Sequence, residues 1–138
     1  MNIPFSEDIA VIFLCELALT NDLKPVSLTE VAGKHQLSVL FLKKIARQLK
    51  TAGFIVSKEG VGGGYTLAVN PSSVTLWDVY AALGHKRGLD EDAFSALYTD
   101  CPINSACIPQ IVRKTVRDSI RMSLNKITLS GLLKEIQI

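Results

Sequence analysis

The sequence predicts a mainly α-helical fold with a small β-hairpin wing: a winged helix-turn-helix followed by a long C-terminal helix. Two short helical segments, each starting at a serine (Ser27 or Ser38), are joined by a tight turn. A glycine-rich stretch between two β-prone runs then predicts a hairpin. Beyond Pro109, apolar residues recur every four positions, which is typical of a helix that packs along one stripe.

The composition favours a folded chain that shares apolar surface with a second copy of itself. Of 138 residues, 48% are hydrophobic and 20% are charged, so neither disorder nor a fibrous repeat is expected. A chain of this size cannot bury so much apolar surface alone, which predicts a homodimer. No apolar run is long enough for a membrane span. Glu7 and Asp8 precede the first apolar segment and the cysteine count is odd, so a reducing, cytoplasmic location is expected.

The predicted elements follow from capping signals and from the spacing of apolar residues. A capping box begins the second helix at Ser27, a turn covers Gly33 to Leu37, and Gly53 ends the third helix. On that third helix Phe41, with Leu42, Ile45 and Leu49, is assigned to the inner face. The predicted helices cover 7–20, 28–32, 39–52, 76–83, 109–125 and 129–136. The predicted strands, 54–58 and 65–69, flank a tip at 59–64.

The charge is concentrated in one segment. Residues 34–58 contain six lysine or arginine residues and no acidic residue, whereas the rest of the chain has more acids than bases. This asymmetry is typical of an element that binds a polyanion. The predicted contacts of the third helix with double-stranded DNA are phosphates, base edges and thymine methyl groups. The residues assigned to them are Ser38, Val39, Leu40, Phe41, Lys43, Lys44, Arg47 and Lys50.

The glycine-rich stretch does not predict a nucleotide-binding loop, because a strand rather than a helix follows it. A wing whose backbone lies against DNA fits better, and a hairpin without a ligand is the alternative. The residues assigned to the wing contact are Lys58, Gly62, Gly63, Gly64 and Tyr65.

Neither a catalytic site nor a zinc site is predicted from the residues alone. Five residues separate Cys101 from Cys107, whereas structural zinc sites prefer closer pairs and a second pair elsewhere. Cys15 lies in the apolar first helix and is expected in the core. His35 and His85 are isolated in the sequence, and no serine, histidine and acid are grouped for nucleophilic catalysis, so an enzyme is not expected.

Together these residues resemble the Rrf2 family of bacterial winged-helix regulators. The resemblance is carried by residues 25–32, 37–38, 41–42, 49–55, 60–65, 74–79 and 127–129. It implies a transcriptional regulator of the repressor type that binds a palindromic operator as a homodimer. It also divides the chain into a DNA-binding domain (1–84), a sensor loop with cysteines (85–107), and a dimerisation helix with a short last helix (108–138).

Several members of the family hold an iron–sulfur cluster in the loop before the long helix. The resemblance therefore implies a [2Fe-2S] site that includes Cys101 and Cys107, with Asp8 as an acidic ligand. Ser95 stands where a further cysteine is expected. Three interpretations stay open: a cluster, a regulatory disulfide or reactive thiol pair, and no metal or redox role.

Departures from the family pattern predict the same docking mode on a different operator. Leu40, Lys43 and Lys44 differ from the residues of other members, and Glu59 stands where a wing arginine is expected. The alternative function is an iron–sulfur or thiol sensor, or an interaction module, that no longer binds DNA.

Overall fold

The computed structural model describes residues 6–20, 24–83 and 108–136. These residues form six helices and one two-stranded antiparallel sheet, which confirms the predicted fold class. In order, the elements are α1 (Ser6–Leu19), α2 (Leu28–His35), α3 (Val39–Thr51), β1 (Ile55–Lys58), β2 (Gly64–Leu67), α4 (Leu76–Ala82), α5 (Ile108–Lys126) and α6 (Leu129–Ile136). Within the described ranges, no helix is long and apolar enough to cross a membrane.

Helix α1 lies at the centre of the core. It contacts α3, α4, α6 and β2, so it is covered on several sides. This explains why its sequence is apolar nearly all round. Cys15 is one of its buried residues, and burial, followed by the neighbouring charge of Glu16, raises the pKa of its thiol. Cys15 is therefore a core residue, as predicted.

Serine hydroxyls cap both helices of the helix-turn-helix. The Ser27 hydroxyl oxygen accepts a hydrogen bond from the Glu30 backbone N–H at 3.1 Å. The Ser38 oxygen accepts one from the Phe41 N–H at 3.4 Å. Each bond satisfies a donor that the first helical turn leaves unpaired, which fixes where α2 and α3 begin.

The turn between these helices is shorter than predicted. Helix α2 continues through Gly33 to His35, so the predicted turn from Gly33 to Leu37 begins too early. The helix ends because Gln36 adopts the left-handed conformation with φ of 54°. The Leu37 N–H then bonds to the Ala32 carbonyl at 2.9 Å. Glycine is the usual residue in this position, so a helix end at Gln36 could not be predicted.

Helix α3 ends at the predicted glycine. Gly53 has φ of 86°, and its N–H bonds to the Lys50 carbonyl at 3.0 Å. The Phe54 N–H bonds to the Leu49 carbonyl at 3.0 Å, which completes a Schellman motif. Since the Phe54 N–H belongs to this cap, β1 begins at Ile55 rather than at the predicted Phe54.

The buried face of α3 differs from the prediction by one residue. Leu42, Ile45, Ala46 and Leu49 are buried, whereas Phe41 is 38% exposed. A helix turns by 100° per residue, which places Ala46 about 40° beyond Leu42 at one side of the apolar arc and Phe41 about 40° beyond Ile45 at the other side. Phe41 therefore lies at the margin of the exposed face.

The wing is paired on both edges of β2. Strand β1 pairs with β2 from Ile55 opposite Leu67 to Lys58 opposite Gly64. Gly64 thus belongs to β2, and the predicted strand at 65–69 is displaced toward the chain's start. On the other edge, Val26 and Tyr65 exchange two backbone N–H···O=C bonds of 2.9 Å each. The connector before α2 and the wing are consequently joined by backbone hydrogen bonds.

The helices after the wing, α4, α5 and α6, are held together by a β-bridge and a cation–π contact. Thr75 and Asp78 form a reciprocal capping box at the start of α4. Thr75 also pairs with Thr128 as an isolated β-bridge, so the start of α4 lies beside the start of α6. The Arg121 guanidinium lies 5.3 Å from the centre of the Trp77 ring, a cation–π contact that holds the C-terminal half of α5 against α4.

Replacing Gly64 by alanine is expected to destabilise the fold by roughly 2 kcal/mol. A Cβ at this position would lie 2.5 Å from the Val26 carbonyl oxygen, and φ is +151°. Gly33→Ala is the matched control, because Gly33 lies in α2 with nothing within 4 Å of an added Cβ, and alanine favours helices. Urea unfolding followed by circular dichroism measures both variants. Equal stability of the two would contradict the proposed close contact.

Candidate nucleic-acid interface

The exposed side of α3 carries all the residues predicted to contact DNA from this helix. We call this side the outer face; its members, all exposed, are Ser38, Val39, Leu40, Phe41, Lys43, Lys44, Arg47 and Lys50. Residues three and four apart are neighbours on a helix surface, so Lys43 and Lys44 lie one turn beyond Leu40. Arg47 follows on the next turn. The outer face is therefore apolar at its first turn and cationic beyond it.

The cations at the middle of the outer face have no carboxylate partner among the described residues. Ion pairs within residues 6–20, 24–83 and 108–136 join Glu16 to Lys34 and to His35. Lys34, the first residue of the basic segment, is thus neutralised. Lys43, Lys44 and Arg47 keep exposed charges that a polyanion can approach.

Glu16 fixes the end of α2 against α1. Its carboxylate accepts hydrogen bonds from Lys34 Nζ at 3.1 Å and from His35 Nε2 at 2.7 Å. Burial alone would raise the pKa of the Glu16 carboxyl, but these hydrogen bonds and the charge of Lys34 outweigh it and lower the pKa below its ordinary value. His35 therefore has a structural role, as expected for an isolated histidine, but its partner Glu16 could not be identified from the sequence because 19 residues separate the two.

The wing is positioned beside the outer face by a side-chain contact. Lys50 Nζ, at the end of α3, donates a hydrogen bond of 2.6 Å to the Ser57 hydroxyl on β1. Lys58 follows on the same strand and is exposed. Sequence reasoning did not select Ser57, since its role depends on how the strand folds back over the helix. Helix α3 and β1 are therefore joined by the hydrogen bond between Lys50 and Ser57.

The wing glycines are required by the hairpin itself. A Cβ on Gly63 would lie 2.2 Å from the Lys58 carbonyl oxygen, and Gly62 has φ of +74°. Gly64 is needed for the contact with Val26 described above. Their presence is thus explained by backbone geometry before any contact with DNA is considered.

Tyr65, whose contact with DNA stays a prediction, also packs against the core. Its ring packs edge-on against Phe13, with 5.7 Å between ring centres, and it is half-buried against the core. The tyrosine at this position therefore anchors the base of the wing to α1.

Of the candidate metal ligands, Asp8 lies within the described residues. Asp8 is exposed in the first turn of α1. Cys101, Cys107 and the whole predicted sensor loop at 85–107 lie outside the described residues. Within the described part of the chain, no three His, Cys, Asp or Glu residues lie close enough to hold a metal ion. The iron–sulfur cluster with Cys101, Cys107 and Asp8 therefore stays a prediction.

A family model described as Rrf2, iron-dependent transcriptional regulator, matches residues 6–135. The chain belongs to the Rrf2 family. This confirms the resemblance inferred from the sequence and makes the protein a transcriptional regulator.

Individual Rrf2 relatives match along most of their length. BadM of Rhodopseudomonas palustris is 37% identical over 123 residues, covering 88% of this chain and 74% of that protein. The HTH-type transcriptional regulator IscR of Vibrio atlanticus is 27% identical over 129 residues, covering 94% and 73%. The solved structure of T. potens IscR superposes with a TM-score of 0.77 at 25% identity, covering 99% of this chain and 88% of that one.

Proposed function

We propose that this Rrf2-family regulator binds double-stranded DNA with the outer face of α3 in the major groove and the wing on the adjacent backbone. The observation that carries the proposal is the exposed cationic group Lys43, Lys44 and Arg47, which has no carboxylate partner among the described residues. A major groove admits one α-helix, and phosphates line both of its edges. A helix with an apolar first turn and cations on the next two turns suits that environment.

The individual cations have different roles in this proposal. Lys43 and Lys44 carry compact charges suited to phosphates, whereas the planar guanidinium of Arg47 can also bind a guanine edge through two hydrogen bonds. Lys50 is held by Ser57 and therefore mainly aligns the wing with the helix. Lys58 and the backbone of Gly62 and Gly63 are the proposed wing contacts.

We also propose that α5 joins two copies of this chain. Its first turns expose Ile111 (54%), Val112 (53%) and Val116 (42%), an apolar patch on a helix whose other end is held by α4. Exposed patches of this kind mark protein interfaces. A second copy is the proposed occupant, because two identical heads related by a two-fold axis match a palindromic operator. In this arrangement residues 1–84 bind DNA and residues 108–138 form the dimer.

Cys101 and Cys107 are the proposed site of signal reception. The chain has three cysteines, and Cys15 is unavailable because it is buried in the core with a raised thiol pKa. The family model describes iron-dependent regulators, which favours thiols that ligate iron or undergo oxidation. Asp8 is the proposed oxygen ligand if these two thiols hold a [2Fe-2S] cluster.

Removing a cation from the outer face is expected to weaken DNA binding and to reduce its dependence on salt. For Lys44→Ala or Arg47→Ala, the slope of log affinity against log salt should decrease in magnitude by about 1. The probe is a duplex enriched from genomic fragments by the wild-type protein, and fluorescence anisotropy between 50 and 200 mM salt measures the slope.

Lys34→Ala is the matched control for these variants, because Lys34 is exposed but paired with Glu16 away from the outer face. Its slope should equal that of the wild type. If no genomic fragment is enriched at low salt, or if all three variants share one slope, the protein is an interaction module that does not use this face.

Charge placed on the apolar patch of α5 is expected to dissociate the dimer. The double variant Val112→Asp, Val116→Asp buries two carboxylates in an apolar interface and should raise the dimer dissociation constant by at least tenfold. Lys114→Asp, an exposed change on another side of the same helix, is the control. Sedimentation velocity over a concentration series measures both. An unchanged dimer in the double variant would place the interface elsewhere.

Oxidation is expected to change DNA affinity by about fivefold or more through Cys101 and Cys107. Protein purified without oxygen is assayed for iron, for its visible spectrum and for DNA binding before and after treatment with peroxide. Cys101→Ala should abolish the response, whereas Cys15→Ala should retain it. The iron content separates a cluster from a thiol pair. If the wild-type protein contains no iron and its DNA affinity is unchanged by peroxide, both the cluster and the thiol pair are contradicted.

A further inference from the structure

The first turn of α3 exposes three consecutive apolar side chains. Val39 is 43% exposed, Leu40 is 81% exposed and Phe41 is 38% exposed. A single exposed leucine needs no explanation, but a run of three large apolar residues on a surface is unfavourable unless it has a binding partner. Phe41 is partly withdrawn toward Ser6 and Leu83, with which it lines a small cavity. Leu40 is therefore the side chain that projects farthest into solvent.

The surroundings of Leu40 identify the occupant. Lys43 and Lys44 follow it by three and four residues and lie beside it on the outer face, without a carboxylate partner among the described residues. A protein surface that covers Leu40 would have to accommodate these charges, whereas a DNA major groove brings phosphates to them. The apolar groups that a major groove displays are the C5-methyl groups of thymine.

The same turn has little capacity to read bases by hydrogen bonding. Val39, Leu40 and Phe41 have no polar side-chain atom, and because the hydroxyl oxygen of Ser38 already accepts the Phe41 N–H, the single O–H of Ser38 is the donor that this turn can offer to a base. Discrimination by Val39, Leu40 and Phe41 therefore has to come from shape and apolar contact. That chemistry separates thymine from every other base of the major groove, because thymine alone carries the methyl group.

We propose that the first turn of α3 recognises thymine methyl groups, with Leu40 as the main specificity-determining residue. The inference rests on the proposed DNA-binding function and adds the chemical class of base that each half-site presents to this turn. Burying one methyl group against Leu40 corresponds to about fourfold in affinity for each half-site.

The test removes the methyl group and nothing else from the DNA. A duplex enriched from a random pool by the wild-type protein is resynthesised with deoxyuridine replacing thymine at one position of each half-site in turn. At one or two positions the wild type is expected to lose about fourfold in affinity per half-site. With Leu40→Ala, which leaves the core intact because Leu40 is exposed, the loss at those positions should disappear.

A matched control separates the contact from changes in the DNA itself. Leu19→Ala removes the same atoms from another exposed leucine, at the end of α1, and should retain the full loss. Circular dichroism verifies that both variants are folded. If a duplex is enriched but deoxyuridine has no effect at any position, or if Leu40→Ala retains the loss, the inference is overturned while the DNA-binding function stands. If no duplex is enriched, both are overturned.

Discussion

The close approach of Gly64 to the backbone of Val26 determines how the wing lies on the helix-turn-helix. An added Cβ would lie 2.5 Å from the Val26 carbonyl oxygen, so only glycine permits the two strands to come together here. At the next residue, Tyr65, the backbone N–H and C=O groups pair with those of Val26 through two hydrogen bonds. The connector before α2 is thereby part of the same small sheet as the wing, and Tyr65 packs its base against Phe13. Backbone hydrogen bonds therefore hold the base of the wing in place independently of the conformation of its glycine-rich tip.

A second junction connects this head to α5. The Thr75–Thr128 bridge brings the start of α4 beside the start of α6, and the Thr75 hydroxyl also donates to the Asn125 side-chain oxygen at 3.3 Å. The Arg121–Trp77 contact adds a third link. If two copies meet along the exposed part of α5, this junction sets the distance between their recognition helices. Half-site spacing on an operator then depends on residues that contact neither DNA nor the partner.

Short-range signals made most of the fold predictable from the sequence. The caps at Ser27, Ser38 and Gly53 depend on neighbours within five residues, and each begins or ends its helix as predicted. The errors have equally physical causes. Gln36 occupies a position where glycine is the usual signal, and Phe41 lies at the edge of an apolar arc that periodicity defines only to within one residue.

The candidate site was predictable in part for the same reason. Exposure of the cations on α3 follows from helical spacing, which the sequence displays. The contact of the Tyr65 ring with Phe13 could not be predicted, because 52 positions separate the two residues in the chain. The pairing of Glu16 with His35 and of Lys50 with Ser57 likewise depends on tertiary packing. DNA contact itself stays a prediction, as do the roles of Cys101 and Cys107.

The composition of the outer face separates affinity from specificity. In the proposed complex, Lys43 and Lys44 are point charges that attract every phosphate alike, so their phosphate contacts strengthen binding to all DNA and carry no sequence information. The strength of these contacts would fall with rising salt on operator and non-operator DNA alike. Sequence information would then come from the two elements proposed to distinguish bases, Arg47 toward guanine and the apolar turn at Leu40 toward thymine. Because a methyl contact is not ionic, the preference for one base over another at that turn is insensitive to the ionic strength that governs the overall affinity.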